Sequence, residues 1–383
     1  MRNKQECLTR KDGYAVRILF VNDSLVGGGA ERLLNDLLPM INEDNYCELL
    51  ILTDENQKYL NSLQKAGIKV TVMPANRKNH LSKAKFITDY IKKSHFDIVH
   101  ANLFPVLYYC SFSARKLKAN TKFVYTEHNT DNRRRHIKLL RPVEKLVYKP
   151  YVKVISISNQ TQEKLVSWLK PKKENLSKFI VIDNGVNLEA FQKAEAYDKS
   201  QFIGQHDSNT IVLGMIGSFT EQKNHEFILE VMQKLPSSYH LILVGEGPLE
   251  EKIKNKIQVE KIDDRVHLCG FRSDVASIIK TCDLVVIPSK WEGFGLIAVE
   301  AMCCGKRIVC SDIPGLSDVV GDAGTKCSIE DACEFAKAII SEAAYIKDKK
   351  KIETCYKRAE KFDIKNMKEG YLQLYESILE NTK

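Results

Sequence analysis

The apolar residues fall in short unbroken runs rather than in strict alternation. Val16–Val21, Cys47–Leu52, Lys69–Val72, Asp97–His100, Lys122–Tyr125, Val152–Ile157 and Lys178–Ile182 are each of strand length. Unalternating runs of this kind suit strands covered on both faces, as in a parallel sheet. Between them, Ala30–Ile41, Gln57–Lys65, Lys83–Lys93 and Pro105–Lys116 read as helices. The turn signal Asp183-Asn184-Gly185-Val186 closes this series, and residues 187–209 lose periodicity and turn polar, as a linker does. A second series opens at Ile211–Gly217 and continues through Leu241–Val244, Val266–Cys269, Leu284–Ile287 and Arg307–Cys310. Residues 363–383 predict a last helix with Met367, Tyr371, Leu374, Tyr375 and Ile378 on one face. Strand and helix in alternation, twice over, predict an α/β protein of two doubly wound Rossmann-like domains, 1–186 and 187–362.

Length changes little in this picture, since 383 residues suit two or three domains. Eleven cysteines, an odd number without a Cys-x-x-Cys pair and partly inside apolar runs, argue for reduced thiols in a cytoplasmic protein rather than disulfides or zinc. No apolar run approaches the roughly 20 residues that span a bilayer, and Met1–Gly13 lacks the apolar core of a signal peptide. Charge is more telling. The net +9 is concentrated in residues 111–180, where 17 Lys and Arg face 5 Asp and Glu. Within this segment Arg133, Arg134, Arg135, Lys138, Arg141, Lys145, Lys149 and Lys153 interleave with Leu139, Val143, Leu146 and Val147, which predicts a basic amphipathic helix. Such a helix suits an anionic partner surface, membrane or nucleic acid; a solvated basic face with no partner is the plainer alternative.

The candidate chemistry centres on Pro288–Met302. The Leu284–Ile287 strand runs through a loop bearing Gly293 and Gly295 into an apolar stretch, Leu296–Cys304, that reads as a buried helix stopped at Gly305. A helix N-terminus beyond a parallel strand offers unpaired amides and positive dipole to an anion, and glycines let that anion approach. Glu300 lies on the same helical face as Leu296 and Ile297. With Glu292, two carboxylates flank one anion site. A carboxylate beside phosphate is useful where it accepts hydrogen bonds from hydroxyls, and phosphate with several hydroxyls describes a nucleotide sugar. Two glutamates at this spacing alone would more simply be solvated; the glycines and the preceding strand favour the site. Ile216–Asn224 is a second strand-to-helix loop, with Gly217 at its start and Lys223 placed to put an ammonium on a diphosphate. Gly27-Gly28-Gly29 makes a third such loop and is not a G-x-G-x-x-G fingerprint.

The frame Glu292-Gly-Phe294-Gly295-Leu296-Ile297-x-x-Glu300-Ala resembles that of the family 4 retaining glycosyltransferases, and the likeness covers the chain from about residue 16 to its end. The resemblance implies the GT-B fold, with the two domains facing across a cleft and helix 363–383 returning to the N-terminal one. It implies a donor-binding C-terminal domain with contacts from Gly217, Ser218, Lys223, Gly245, Phe271, Arg272, Phe294, Gly295, Leu296, Ile297 and Glu300, and an acceptor-binding N-terminal domain. The resemblance also implies that Gly28 and Gly29 lie by the diphosphate or acceptor, and that His128, after Lys122–Tyr125, faces the donor sugar. Glu292, His128 and Lys223 are the candidate catalytic residues. Where the family commonly has an arginine on the phosphates this chain has Ser218, so Lys223 and the helix amides carry more of the diphosphate charge.

The implied activity is retaining transfer of a sugar from a nucleotide diphosphate donor, such as a UDP-sugar, to a glycan or lipid-linked glycan in bacterial surface polysaccharide synthesis. No cofactor or metal is called for, since no Asp-x-Asp occurs. The expected location is the cytoplasm, with the inner membrane face as a candidate peripheral site and lipid rather than nucleic acid as the expected anionic partner. Alternatives are a non-catalytic nucleotide-sugar- or nucleic-acid-binding protein and a sugar-nucleotide epimerase on the same fold. A dinucleotide-dependent oxidoreductase fails for want of its glycine fingerprint.

Overall fold

A computed structural model describes residues 16–55, 57–75, 79–117, 120–130 and 132–380. The chain divides into two compact units, one built from residues up to Asn184 together with those from Lys365 onward, the other from Gly185–Ile364.

The first unit holds strands β1 (Arg17–Asn22), β2 (Tyr46–Ile51), β3 (Lys69–Val72), β4 (Ile98–Asn102), β5 (Lys122–Glu127), β6 (Lys153–Ser156) and β7 (Phe179–Val181). They form one sheet in the order β3-β2-β1-β4-β5-β6-β7, with every pairing parallel. One face packs Leu19, Val21, Val99, Ala101, Phe123 and Tyr125 under the His80–Lys93 and Val106–Lys116 helices. On the other face the Ile364–Glu380 helix is tied to the sheet through His100. Its Nδ1 lies 2.6 Å from the Tyr375 hydroxyl and its Nε2 2.6 Å from Thr126 Oγ1, with the Tyr371 ring edge-on at 5.3 Å. Fully buried, His100 is held neutral, its pKa pushed down to about 3 chiefly by loss of solvent.

The second unit repeats the plan with β8 (Ile211–Ile216), β9 (Tyr239–Val244), β10 (Val266–Leu268), β11 (Leu284–Ile287), β12 (Arg307–Ser311) and β13 (Gly324–Cys327), in the order β10-β9-β8-β11-β12-β13 and again parallel. In each sheet the chain winds outward in one direction and then returns to wind in the other. The two switch points, where such sheets open a crevice for ligands, fall between β1 and β4 and between β8 and β11.

The basic segment does not form one amphipathic helix. Two 3₁₀ turns, Arg133–His136 and Lys138–Leu140, lead into a short α-helix, Arg141–Tyr148, which Pro142 is free to join in its first turn and which stops before Pro150. Nor do its arginines all face solvent. Arg134 pairs with buried Glu144 at 2.8 Å, and Arg135 pairs with buried Glu127 at 2.9 Å, where the Tyr148 hydroxyl also donates at 3.0 Å. Two buried carboxylates need partners, and these arginines supply them. What does face outward is Leu139, 88% exposed, with Ile137, Val143 and Leu146 among Lys138, Lys145 and Lys149. No helix of the described residues is long and apolar enough to cross a membrane.

Candidate functional site

At the switch point of the second unit, the loop after β8 and the loop after β11 are laced together. Lys290 N donates to Gln222 O at 2.8 Å and Gln222 Nε2 to Trp291 O at 2.9 Å. Lys223 Nζ meets Glu292 Oε1 at 2.5 Å, and the same carboxylate accepts from Ser289 Oγ at 2.8 Å. Glu292 is 7% exposed and the Lys223 side chain 19%. Two residues expected at different parts of the donor are therefore paired with each other.

Glycine makes this closeness feasible. A Cβ on Gly217 would stand 3.2 Å from Lys223 Cε, so the lysine stem runs directly over the glycine. Gly245 sits at φ 139°, and a Cβ there would come within 2.1 Å of Gly217 O. The chain ends of β8 and β9 thus meet backbone to backbone. Gly295, at φ 87°, is the N-cap of the Leu296–Cys303 helix and has no side chain to occupy the helix's first amides. Leu296 and Ile297 open that helix, Glu300 is buried within it, and Phe294 packs edge-on against Phe362 at 5.3 Å.

Arg272 is engaged locally rather than held out toward a ligand. Its Nε donates to Asp274 Oδ1 at 2.8 Å, Asp274 also accepts from the Tyr197 hydroxyl at 2.6 Å, and the guanidinium lies 5.8 Å from the Phe202 ring centre. The hydrogen bonds from Arg272 hold the Asp274 carboxyl well below the usual carboxylate range. Phe271, beside it, is half-buried, and Ser218 O accepts from Thr220 N at 2.8 Å.

Gly28, Gly29 and His128 belong to the first unit. Gly28 is the N-cap of the Gly29–Ile41 helix, and Glu31, three residues on, turns back over it, so that a Cβ on Gly28 would be 2.5 Å from Glu31 Oε2. This is the geometry of a capping box with glycine in place of serine. Burial pushes the Glu31 carboxyl up while the amides of Glu31 and Gly28 pull it down. The helix start read as a diphosphate or acceptor contact thus already has a carboxylate of its own. His128, half-buried after β5, places Nε2 3.4 Å from Asn102 Oδ1, and desolvation pushes its pKa down to about 4.

Sequence reasoning passed over His225. It is the first residue of the His225–Met232 helix, buried beside Phe219 at 4.4 Å between ring centres, and neither ring nitrogen has a hydrogen-bond partner among the described residues. Burial, and then the Lys223 charge, push its pKa down to about 4. Its place two residues after Lys223 was the available signal.

Two parallel α/β units, each with a switch point in its strand order, make the architecture, and comparison with known proteins assigns the family. Residues 196–362 match the family described as Glycosyl transferases group 1, and residues 27–190 match Glycosyltransferase Family 4. The chain belongs to the family 4 glycosyltransferases and has the GT-B fold. An uncharacterised glycosyltransferase of Methanocaldococcus jannaschii is 30% identical over 172 residues, 44% of this chain and 43% of that protein. The UDP-Gal:alpha-D-GlcNAc-diphosphoundecaprenol alpha-1,3-galactosyltransferase of Escherichia coli is 28% identical over 264 residues, 65% of this chain and 67% of the relative. Among solved structures, Anabaena HepE in complex with UDP and glucose superimposes with a TM-score of 0.79 at 21% identity, covering 94% of this chain and all of the other.

Proposed function

We propose that this glycosyltransferase moves a sugar from a UDP-sugar, with retention at the anomeric carbon and without a metal, to a glycan or lipid-linked glycan in bacterial surface polysaccharide assembly. The observation that carries the reading is the Lys223–Glu292 pair at the β8/β11 switch point. A cation for the diphosphate and a carboxylate for sugar hydroxyls lie there within one hydrogen bond of each other, beside a helix start left uncapped by any side chain. As the anomeric C–O bond breaks, negative charge grows on the leaving diphosphate. Lys223 and the fixed amides around Leu296 and Ile297 stabilise that charge in place, the form of catalysis that costs no reorganisation during the reaction. Glu292 orients the sugar ring, Glu300 binds the ribose, and His128 of the first unit is the third candidate catalytic residue. Phe271 and Arg272 lie by the base, with the Arg272 guanidinium held in place by its hydrogen bond to Asp274.

The E. coli relative, whose name has it act on a diphosphoundecaprenol-linked sugar, supports a lipid-linked acceptor. So does the outward face of residues 137–149, where exposed Leu139, Val143 and Leu146 stand among lysines, a composition that rests on anionic lipid. Leu139→Glu with Lys145→Glu should abolish sedimentation with anionic vesicles at low salt; unchanged binding would remove the membrane from the proposal. For the donor, a panel of nucleotide sugars is incubated with the protein and release of nucleoside diphosphate is followed. Release from a UDP-sugar is expected, and release from none of the panel would defeat the reading.

A further inference from the structure

The switch point of the first unit lies between β1 and β4, and both strands end in asparagine. The register Val21↔Ala101 sets Asn22 and Asn102 side by side at the carboxyl edge of the sheet. The two residues are 0% and 2% exposed. Asn22 Nδ2 donates to Ser24 O at 2.7 Å, which fixes its amide orientation and leaves Oδ1 with no hydrogen-bond partner among the described residues. Asn102 Oδ1 faces His128 Nε2, and its Nδ2 likewise has none. The next residue, Leu103, is held at φ 61°, a conformation costly for a residue with a side chain.

A buried polar atom without a partner destabilises a protein by about 1–3 kcal/mol. Here two occur on adjoining central strands, where apolar residues would pack at no such cost. Burdens of this kind persist at ligand sites, where the missing partner belongs to the ligand. The chemistry of that partner can be read from the pair. Asn22 presents an acceptor and Asn102 a donor, and a hydroxyl, which both donates and accepts, satisfies the two together. A phosphate or carboxylate only accepts, and would leave Asn22 Oδ1 facing a negative charge. The nearest titratable side chain, His128, stays neutral through the physiological range and offers an anion no compensation.

We propose that Asn22 and Asn102 form a hydroxyl-reading subsite of the first unit, and that the acceptor sugar it takes is an uncharged one rather than a uronic acid. This rests on the glycosyltransferase reading and adds the class of acceptor to it.

The test uses the full chain, with Asn102→Leu, Asn22→Leu and the shape-preserving Asn102→Asp, which replaces the donor by an acceptor. Saturation-transfer NMR with methyl glucoside, methyl galactoside and methyl N-acetylglucosaminide is compared with methyl glucuronide. Thermal unfolding and UDP binding are measured alongside. The parent should transfer saturation to at least one neutral glycoside more strongly than to the glucuronide. All three variants should cut that transfer five-fold or more, with UDP affinity within two-fold of the parent and, for Asn102→Leu, which loses only the 3.4 Å contact to His128 among the described residues, Tm unchanged or raised. Transfer favouring the glucuronide, transfer retained in Asn102→Asp, or an Asn102→Leu variant whose Tm falls by several degrees would each overturn the proposal, the last by showing the Asn102 amide to be structural. Failure of the parent to bind UDP would tell against the donor assignment and leaves the glycoside comparison to be judged by itself.

Discussion

If Lys223 serves the diphosphate, Glu292 competes with it in the free protein, and this makes Glu292→Gln a perturbation with opposite effects on two related ligands. The Lys223 Nζ to Glu292 Oε1 contact is 2.5 Å, and both side chains are largely shielded. Exposed ion pairs contribute about 0.2–1 kcal/mol, and removing one partner of a fully buried pair costs about 3–5 kcal/mol. This pair lies between, at about 1–2 kcal/mol. UDP must draw the ammonium away from Glu292, so UDP should bind the glutamine variant about 5–30-fold more tightly than the parent. A UDP-sugar gains the same release but loses charged hydrogen bonds from its hydroxyls to Glu292, worth about 1.5–3 kcal/mol. The preference for UDP-sugar over UDP should therefore fall by about 10–150-fold, a ratio in which the energy of the ion pair cancels. Calorimetric titration of both ligands into parent and variant measures it. Should UDP bind Glu292→Gln no more tightly than the parent, Lys223 is not the phosphate ligand, and the mechanism built on it fails.

Glu300→Gln should weaken donor binding by about 1.5–3 kcal/mol through loss of a charged hydrogen bond to the ribose; equal affinities by calorimetry would sink that assignment. Lys223→Ala should remove most activity, and Ser218→Arg in that background should restore part of the donor binding. An absence of any rescue would mean that positions 218 and 223 do not face the same phosphates. Stability should depend on pH through buried His100. Its folded pKa of about 3 lies below the ordinary value near 6.5, so between these the unfolded chain binds a proton that the folded chain does not, and stability falls as the pH falls through that window. From pH 7.5 to pH 5 the first unit should lose about 2 kcal/mol from this residue, with a smaller addition from half-exposed His128. Urea unfolding of a Trp291→Phe variant, followed by the fluorescence of Trp168, reports on that unit, and equal stability at the two pH values would contradict the burial of a neutral imidazole.

Central strands were legible because burial on both faces leaves a local trace. Leu284–Ile287 is a continuous apolar run, and the structure gives β11 those same bounds. The edge strand β13, Gly324–Cys327, carries Thr325 and Lys326 and no such run; it is a strand because Ile308–Ser311 pairs with it, a fact not contained in its own residues. The glutamates and glycines of Glu292–Glu300 could be read together because they are close in sequence. The pairing of Glu292 with Lys223, 69 residues away, could not. Asn22 and Asn102 each look like ordinary strand-ending residues, and they acquire meaning when the parallel register sets them together. In the basic segment the charge could be counted but not its direction. Arg134 and Arg135 turn inward because Glu144 and Glu127 are buried, and the sequence does not say which carboxylates those will be.

The reaction itself is tested most directly by proton NMR of the sugar first released from a UDP-α-sugar, or of the first product formed once an acceptor is in hand. The early spectrum, before mutarotation, distinguishes the two anomers. A nucleophile guided from the same face as the departing diphosphate, with Lys223 and the amides at Leu296 and Ile297 holding that leaving group, yields the α-anomer, and Lys223→Ala should suppress its appearance. A first-formed β-anomer, or an α-anomer produced equally well without the Lys223 ammonium, would contradict the account.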